Sequence, residues 1–118
     1  MRHLILIKHS EHIRNLPFPT ALNDAMGTFV TDGMKSGVIL DTAGLKPTAE
    51  GKRVRVDKGK LSVTDGPFTE TKEIIGGYAM IEADSMEKAV DFAKEFMELH
   101  RVNWPEFDGE CEVRALEG

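Results

Sequence analysis

Cysteine, long apolar runs and secretion signals are what this sequence has least of. Cys111 is the single cysteine among 118 residues, so a framework of intramolecular disulfides is excluded. No apolar run approaches the roughly 18 residues that a membrane-spanning helix needs. The first residues enter a short apolar segment without the basic-then-apolar pattern of a signal peptide. We therefore expect a protein of the reducing cytoplasm that has no membrane partner.

The sequence also lacks the motifs of the common nucleotide-dependent enzymes. It contains no P-loop, no glycine-rich dinucleotide motif and no recognisable Ser-His-Asp spacing. The formal net charge is -5, which argues against a dedicated nucleic-acid binder, because such proteins usually carry a basic surface. We expect no nucleic-acid partner and no cofactor.

The apolar pattern predicts one α+β domain over residues 1–118. Helical spacing predicts a helix from Thr20 to about Ser36 and a second one after an N-cap at Asp84. Lys58-Gly59 is typical of a tight hairpin turn, and segments 10–19 and 41–47 are expected to be loops. Short apolar or alternating runs predict strands at 3–9, 38–40, 53–56, 60–63, 76–83 and 111–116. Without the hairpin, the order is β-α-β-β-α-β, which predicts a ferredoxin-like antiparallel sheet with two helices on one face.

Several of these strands are apolar on both sides, so the sheet face away from the helices must also be covered. The pattern predicts no third helix for that face. A second copy of the sheet would cover it, and we therefore predict a homodimer.

The densest group of chemically active side chains lies between Asp65 and Glu73. Asp65 would accept a proton if it were buried, and Lys72 would hold an anion or a developing negative charge. We predict a polar pocket at this loop, with Asp65 and Lys72 as catalytic residues. The predicted binding residues are Asp41, Thr69 and Glu70. The alternative is an ordered connection held by side-chain-to-backbone bonds, and Gly76-Gly77 after it indicates either a bulge or a close backbone approach.

The run from Val63 to Tyr78 contains the residues Asp-Gly-Pro-Phe-Thr-Glu-Thr-Lys-Glu followed by Gly76-Gly77-Tyr78. This run resembles the signature of the DGPF family within the YCII-related superfamily. The similarity extends to Gly44-Leu45-Lys46-Pro47 and to the segment from His100 to Arg114, so it covers nearly the whole chain. The resemblance implies a single YCII-related domain and a dimeric α+β barrel of ferredoxin-like protomers packed sheet to sheet. It implies no particular reaction.

The same resemblance bears on the roles of the histidines. For some YCII-related proteins it implies a His-Asp pair at a pocket, but this sequence lacks the usual histidine early in the first predicted helix, so the pair is not carried over. His100 lies within the matching part and is a third catalytic candidate; otherwise it is a C-terminal residue favoured by the helix dipole. His9 and His12 are spaced like metal ligands, but no third ligand is evident and we expect no metal. Cys111 is expected to be a buried, unreactive thiol.

These observations favour a homodimer that binds a small molecule, acting as a proton-transfer or hydrolytic enzyme without a cofactor. Whether the chain is an enzyme stays open. The alternative is a non-catalytic interaction or regulatory module, in which residues 65–73 serve the fold and the dimer.

Overall fold

The computed structural model describes residues 1–68 and 70–118. Of the helices that these residues form, none combines the length and the apolar character needed to cross a membrane. A 3-10 turn at Thr48–Glu50 lies between the second and third strands. The elements in chain order are β1 (Arg2–His9), α1 (Glu11–Asn15), α2 (Thr20–Ser36), β2 (Ile39–Gly44), β3 (Lys52–Asp57), β4 (Lys60–Asp65), β5 (Ile74–Glu82), α3 (Met86–Asn103) and β6 (Gly109–Ala115).

The strands form a four-stranded sheet in the order β2-β5-β1-β6 and a separate two-stranded hairpin of β3 and β4. All of the pairings are antiparallel. The α+β class is therefore confirmed. Without α1 and the hairpin, the order β-α-β-β-α-β agrees with the ferredoxin-like plan.

Strand β1 shows why the sheet has one well-buried face. Its alternating residues His3, Ile5, Ile7 and His9 are all buried, because the strand period of two points them towards the helices. Each fully buried isoleucine of this kind contributes roughly 1.5–3 kcal/mol relative to exposure. The buried apolar core on this face comprises Ile5, Ile7, Ile39, Ala79, Ile81, Ala89 and Ala93. The intervening side chains of β1 point to the opposite face and are only half-buried.

The structure has one helix that was not predicted and one helix that begins a residue later than expected. In both cases a serine side chain caps the helix N-terminus. A short helix, α1, forms where a loop was predicted, since the Ser10 hydroxyl accepts a hydrogen bond from the Ile13 amide at 3.2 Å. Helix α3 is capped by Ser85 rather than Asp84, and the Ser85 hydroxyl accepts from the Lys88 amide at 3.2 Å.

Strand β2 extends further than its sequence suggests. Residues 41–47 were expected to be a loop, yet Asp41 to Gly44 pair with Met80 to Gly77 of β5. Aspartate and glycine disfavour strands, but pairing with a central strand overrides that preference. The extension brings Asp41 alongside β5.

The glycine pair near the start of β5 forms a bulge, which was one of the two alternatives predicted for it. Ile7 pairs with Gly77 and Lys8 pairs with Ile75, which leaves Gly76 as the extra residue of a β-bulge. A Cβ atom at Gly76 would lie 2.1 Å from Nε2 of His9. The bulge therefore gives the His9 ring room to lie against the strand.

The hairpin turns as predicted, since Lys58 and Gly59 have positive φ angles of 52° and 81°. The four apolar side chains of β3 and β4 share one face through the pairs Val54–Val63 and Val56–Leu61. They are 63–75% exposed. The hairpin thus has an apolar face that is largely exposed to solvent.

Candidate functional site

A cavity of about 370 Å³ lies where the end of β1 and the start of β5 meet α1, α2 and the end of α3. This volume is at the small end of the roughly 300–1,000 Å³ that is typical of small-molecule sites. Most of its wall is apolar. The aromatic rings in the wall belong to Phe18, Tyr78, Phe96, Trp104 and Phe107, and the histidines and charged residues are His9, Arg14 and His100.

The aromatic wall is built where α3 ends. Trp104 terminates that helix, and its amide donates to the His100 carbonyl at 2.8 Å. The Trp104 ring, only 6% exposed, lies 5.4 Å from the Phe18 ring and 5.5 Å from the Phe107 ring, measured between centroids. Phe107 in turn lies 4.8 Å from His100. These contacts place three aromatic rings side by side, next to an imidazole.

His9 is the last residue of β1 and is buried. Its Nδ1 lies 3.0 Å from the Ser10 carbonyl oxygen. A carbonyl only accepts hydrogen bonds, so we assign the proton of the neutral ring to Nδ1 and leave a lone pair on Nε2. His9 therefore presents a base on the side of the ring next to Gly76.

His100 has the same arrangement in the last turn of α3. It is 5% exposed, and its Nδ1 lies 3.0 Å from the Phe96 carbonyl oxygen. Burial lowers the pKa of His100, and the hydrogen bond to the Phe96 carbonyl offsets only part of that effect. The imidazole is therefore neutral at pH 7. Among residues 1–68 and 70–118, Nε2 of neither ring has a hydrogen-bond partner.

Arg14 contributes the positive charge of the site. Its Nη2 donates to the Leu45 carbonyl at 3.3 Å, which holds the side chain at the cavity. Within the described part of the chain, no carboxylate lies within 4.0 Å of its guanidinium. Arg14 is also the sole permanently charged residue among the described lining residues. Most of its N–H donors therefore have no hydrogen-bond partner within the described residues.

Of the residues predicted from the sequence, His100 lines the cavity and Asp41 contacts its wall. Oδ2 of Asp41 accepts a hydrogen bond from the Tyr78 hydroxyl at 2.8 Å, and Oδ1 accepts from the Thr42 amide at 2.9 Å. The bond to Asp41 raises the pKa of Tyr78. Asp41 itself is exposed and lies behind Tyr78 rather than in the lining.

The other predicted residues lie apart from this cavity. Asp65 forms an exposed ion pair with Lys52, and Glu70 forms one with Arg53. A hydrogen bond from its own backbone amide, followed by the Arg53 interaction, lowers the pKa of Glu70. Lys72 is exposed. Thr69 lies outside the described residues. The structure therefore does not bring Asp65, Glu70 or Lys72 together with His100.

Two residues of the 65–73 segment, Gly66 and Phe68, make close contacts with the turn before β3 and with β3 itself. Phe68 is 8% exposed, and the Arg53 guanidinium lies 3.9 Å from the centre of its ring. The Gly66 amide donates to the Gly51 carbonyl at 2.9 Å. A Cβ atom at Gly66 would lie 1.6 Å from the Thr48 carbonyl oxygen, so the segment packs tightly on the turn before β3.

Sequence reasoning missed Arg14 and considered His9 only as a metal ligand. The residues that the structure describes contain no group of three or more His, Cys, Asp or Glu side chains placed to hold a metal. The sequence feature that is linked to His9 is the Gly76-Gly77 pair. The His9 ring lies where a side chain at position 76 would be, so this position needs glycine. Burial raises the pKa of Cys111 to about 11, so its thiol is protonated at neutral pH, in agreement with the expected lack of reactivity.

The fold and the cavity together define an α+β domain with a largely apolar cavity that His9 and His100 line. The chain belongs to the YCII-related domain family, whose model matches residues 1–97. His100, Trp104 and Phe107 lie beyond the matched residues. The chain is also 35% identical over 83 residues to an uncharacterised protein of Rhizobium meliloti (strain 1021), a match that covers 70% of this chain and 63% of that protein. The chain thus matches less than two thirds of the length of this relative.

Proposed function

We propose that this domain binds a small molecule and acts as a cofactor-independent proton-transfer enzyme, with the reaction in the cavity of His9, Arg14 and His100. One observation carries the proposal. Two imidazoles line one cavity, each with Nδ1 3.0 Å from a backbone carbonyl oxygen and with Nε2 free of a hydrogen-bond partner in the described chain. A base for proton transfer needs a fixed orientation and a neutral resting state, and at His100 the carbonyl contact supplies the first and burial the second.

In the proposed reaction, Nε2 of His100 removes a proton from a bound ligand. The ring becomes an imidazolium whose positive charge the Phe96 carbonyl stabilises through Nδ1–H. Arg14 stabilises the negative charge that develops on the ligand. The imidazolium then returns its proton to a second atom of the same ligand. The net change is an isomerisation with no atoms gained or lost, and no cofactor is required.

Because burial lowers the pKa of His100, its imidazolium gives the proton back more readily than an exposed histidine would. Asp41 acts in this scheme as a positioning residue through its bond to Tyr78. The catalytic roles predicted for Asp65 and Lys72, and the binding roles predicted for Thr69 and Glu70, stay predictions. The contacts of Phe68 and Gly66 favour the structural alternative for their segment.

Hydrogen–deuterium exchange tests the proposal directly. Acetophenone and phenylpyruvate both carry exchangeable C–H groups, and incorporation of deuterium into them in D₂O is followed by proton NMR. We expect the wild type to accelerate exchange of at least one of them, and His100→Gln to lower that rate about 100-fold or more, as general bases contribute roughly 10²–10⁴-fold. Asp65→Asn is the matched control and should leave the rate unchanged.

Two results would count against the site. If Asp65→Asn lowers the exchange rate as much as His100→Gln does, the chemistry belongs to the loop. If the wild type accelerates exchange of neither compound while both shift the His9 and His100 ring resonances, the cavity binds ligands without acting on them. In that case the domain is the non-catalytic module.

We also propose that the chain forms a homodimer through the outer face of the sheet. Leu4, Leu6 and Met80 lie on that face and are only half-buried. The exposed apolar face of the hairpin adds to the uncovered surface, and an isolated two-stranded hairpin is marginally stable in water. Sheet-to-sheet packing, as the DGPF resemblance implies, would cover these side chains.

Sedimentation at micromolar concentration tests the dimer. We expect twice the protomer mass for the wild type and for Met34→Lys, which alters an exposed methionine on α2, whereas Leu6→Lys should sediment as a monomer. A monomeric wild type would contradict the proposal. The cytoplasmic location and the absence of a nucleic-acid partner stay predictions.

A further inference from the structure

The charge of the cavity is opposite to that of the chain as a whole. The sequence has 20 acidic and 15 basic side chains, apart from histidine, and a formal net charge of -5. Yet the described lining of the cavity includes one guanidinium and no carboxylate. A half-buried cation without an anionic partner loses part of its hydration and gains no ion pair in return. A bound anion supplies the missing partner.

The geometry of Arg14 suits a planar anion. A guanidinium has five N–H donors in one plane, and the bond to the Leu45 carbonyl uses a single one of them. The remaining fork matches the two oxygens of a carboxylate. One guanidinium neutralises one negative charge, and no lysine is among the described lining residues, so the site favours a monoanion over a phosphate dianion.

The rest of the wall suits an aromatic apolar body. The rings of Phe18, Trp104 and Phe107 are neighbours, with centroids 5.4–5.5 Å apart and with planes inclined by 63° and 41°, so together they offer both ring faces and ring edges. Aromatic rings attract other rings through stacked and edge-to-face contacts. The cavity of about 370 Å³ limits the ligand to a small molecule.

From these observations we infer that the ligand is a small aromatic or conjugated monocarboxylate, whose carboxylate binds Arg14 and whose planar body lies against the wall of Phe18, Trp104 and Phe107. The inference rests on the proposed function, because it assigns the substrate class of the same site. The carboxylate at Arg14 places the atoms next to it within the same small cavity as His9 and His100.

Calorimetric titration with three probes tests the two halves of the inference. Phenylacetate has both a ring and a charge, phenylacetamide has the ring alone, and cyclohexylacetate has the charge on a non-planar body. Hydrogen bonds to charged groups are worth roughly 1.5–3 kcal/mol, so we expect phenylacetate to bind about tenfold to a hundredfold more tightly than phenylacetamide. It should also bind more tightly than cyclohexylacetate.

Arg14→Gln should remove the preference for the carboxylate, and Arg14→Lys should keep part of it. Arg101→Gln is the matched control, since Arg101 is an exposed arginine on α3 that pairs with Glu98, and it should keep the full preference. Thermal unfolding of each variant establishes that the domain is folded.

The outcomes separate this inference from the proposed function. If phenylacetate and phenylacetamide bind equally and both shift the His9 and His100 ring resonances, the inferred binding of a carboxylate to Arg14 is wrong. The proposed function of the cavity is then unaffected. If cyclohexylacetate binds as tightly as phenylacetate, the planar assignment is wrong. If no probe binds, or binding leaves both histidine resonances unchanged, the inference and the cavity site are both wrong.

Discussion

The cavity and the 65–73 loop use their polar groups in opposite ways. The loop is dense in charge, but Asp65 and Glu70 are occupied by Lys52 and Arg53 at the surface. The cavity has few polar groups, yet within the described chain the Arg14 guanidinium has no carboxylate partner, and Nε2 of His9 and of His100 has no hydrogen-bond partner. A high density of polar residues therefore does not by itself mark a reactive site. What matters is which polar groups the fold leaves unpaired in a place that a ligand can enter.

The largest expected effect tests the structural role of the loop. Gly66→Ala would place a Cβ atom 1.6 Å from the Thr48 carbonyl oxygen, a backbone atom that cannot rotate away. We expect a loss of about 3 kcal/mol in the free energy of unfolding, measured with urea. Gly44→Ala is the control, since a Cβ atom there meets nothing within 4 Å, and it should change stability by less than about 0.5 kcal/mol. Equal stabilities for the two variants would refute the tight packing of Gly66.

At Gly76 we expect a smaller loss of stability than at Gly66, but a larger change in the candidate site. The Cβ atom of Gly76→Ala would collide with Nε2 of His9, a side chain that moves more easily than backbone. We expect a loss of about 1–2 kcal/mol in unfolding free energy together with a displaced His9 ring resonance in NMR. Gly27→Ala, on an open surface of α2, should instead stabilise the domain by up to about 1 kcal/mol. An unmoved His9 resonance in Gly76→Ala would contradict the role assigned to the bulge.

The acid stability of the domain should depend on the cavity. The pKa of His100 is lower in the folded state than its usual 6.5, so the unfolded chain binds a proton first as the pH falls. The stabilising contribution of neutral His100 is present above pH 6.5 and is lost as the pH falls through the folded pKa. His100→Gln should make the unfolding free energy, measured in urea titrations, less dependent on pH below about 6.5. Equal slopes for the wild type and this variant would argue against a neutral, buried His100.

The smallest effect is expected at Asp65. Both partners of the Asp65–Lys52 pair are largely exposed, and such pairs contribute between 0 and about 1 kcal/mol. Asp65→Asn should therefore shift the unfolding free energy by less than about 0.5 kcal/mol in urea titrations. A loss of 2 kcal/mol or more would indicate that Asp65 has a buried partner, and the comparison between loop and cavity would then fail.

The sequence predicted the elements that depend on local pattern and missed the site that depends on tertiary contacts. The turn at Lys58-Gly59 and the apolar stripe of α3 are local features, and both are found as expected. Asp84 and Ser85 are both good caps, so the choice between them depends on the entry angle of the chain. The cavity joins the end of β1 to the end of α3, and no local pattern reports that His9 and His100 meet there. His100 was predicted through the family resemblance, although the matched family model ends at residue 97, and Arg14 carried no signal in the sequence.

The bulge at Gly76 has a consequence for insertions and deletions in this strand. Ile75 already pairs with Lys8 and Gly77 with Ile7, so a chain that lacked Gly76 would keep every other pair of the β1–β5 ladder and both faces of the sheet. Its register does not require the extra residue. The Gly76 carbonyl does, however, accept the Leu45 amide at 2.9 Å, and Gly76 itself lines the cavity. A single-codon deletion of Gly76 would therefore keep the strand register and change the wall of the cavity.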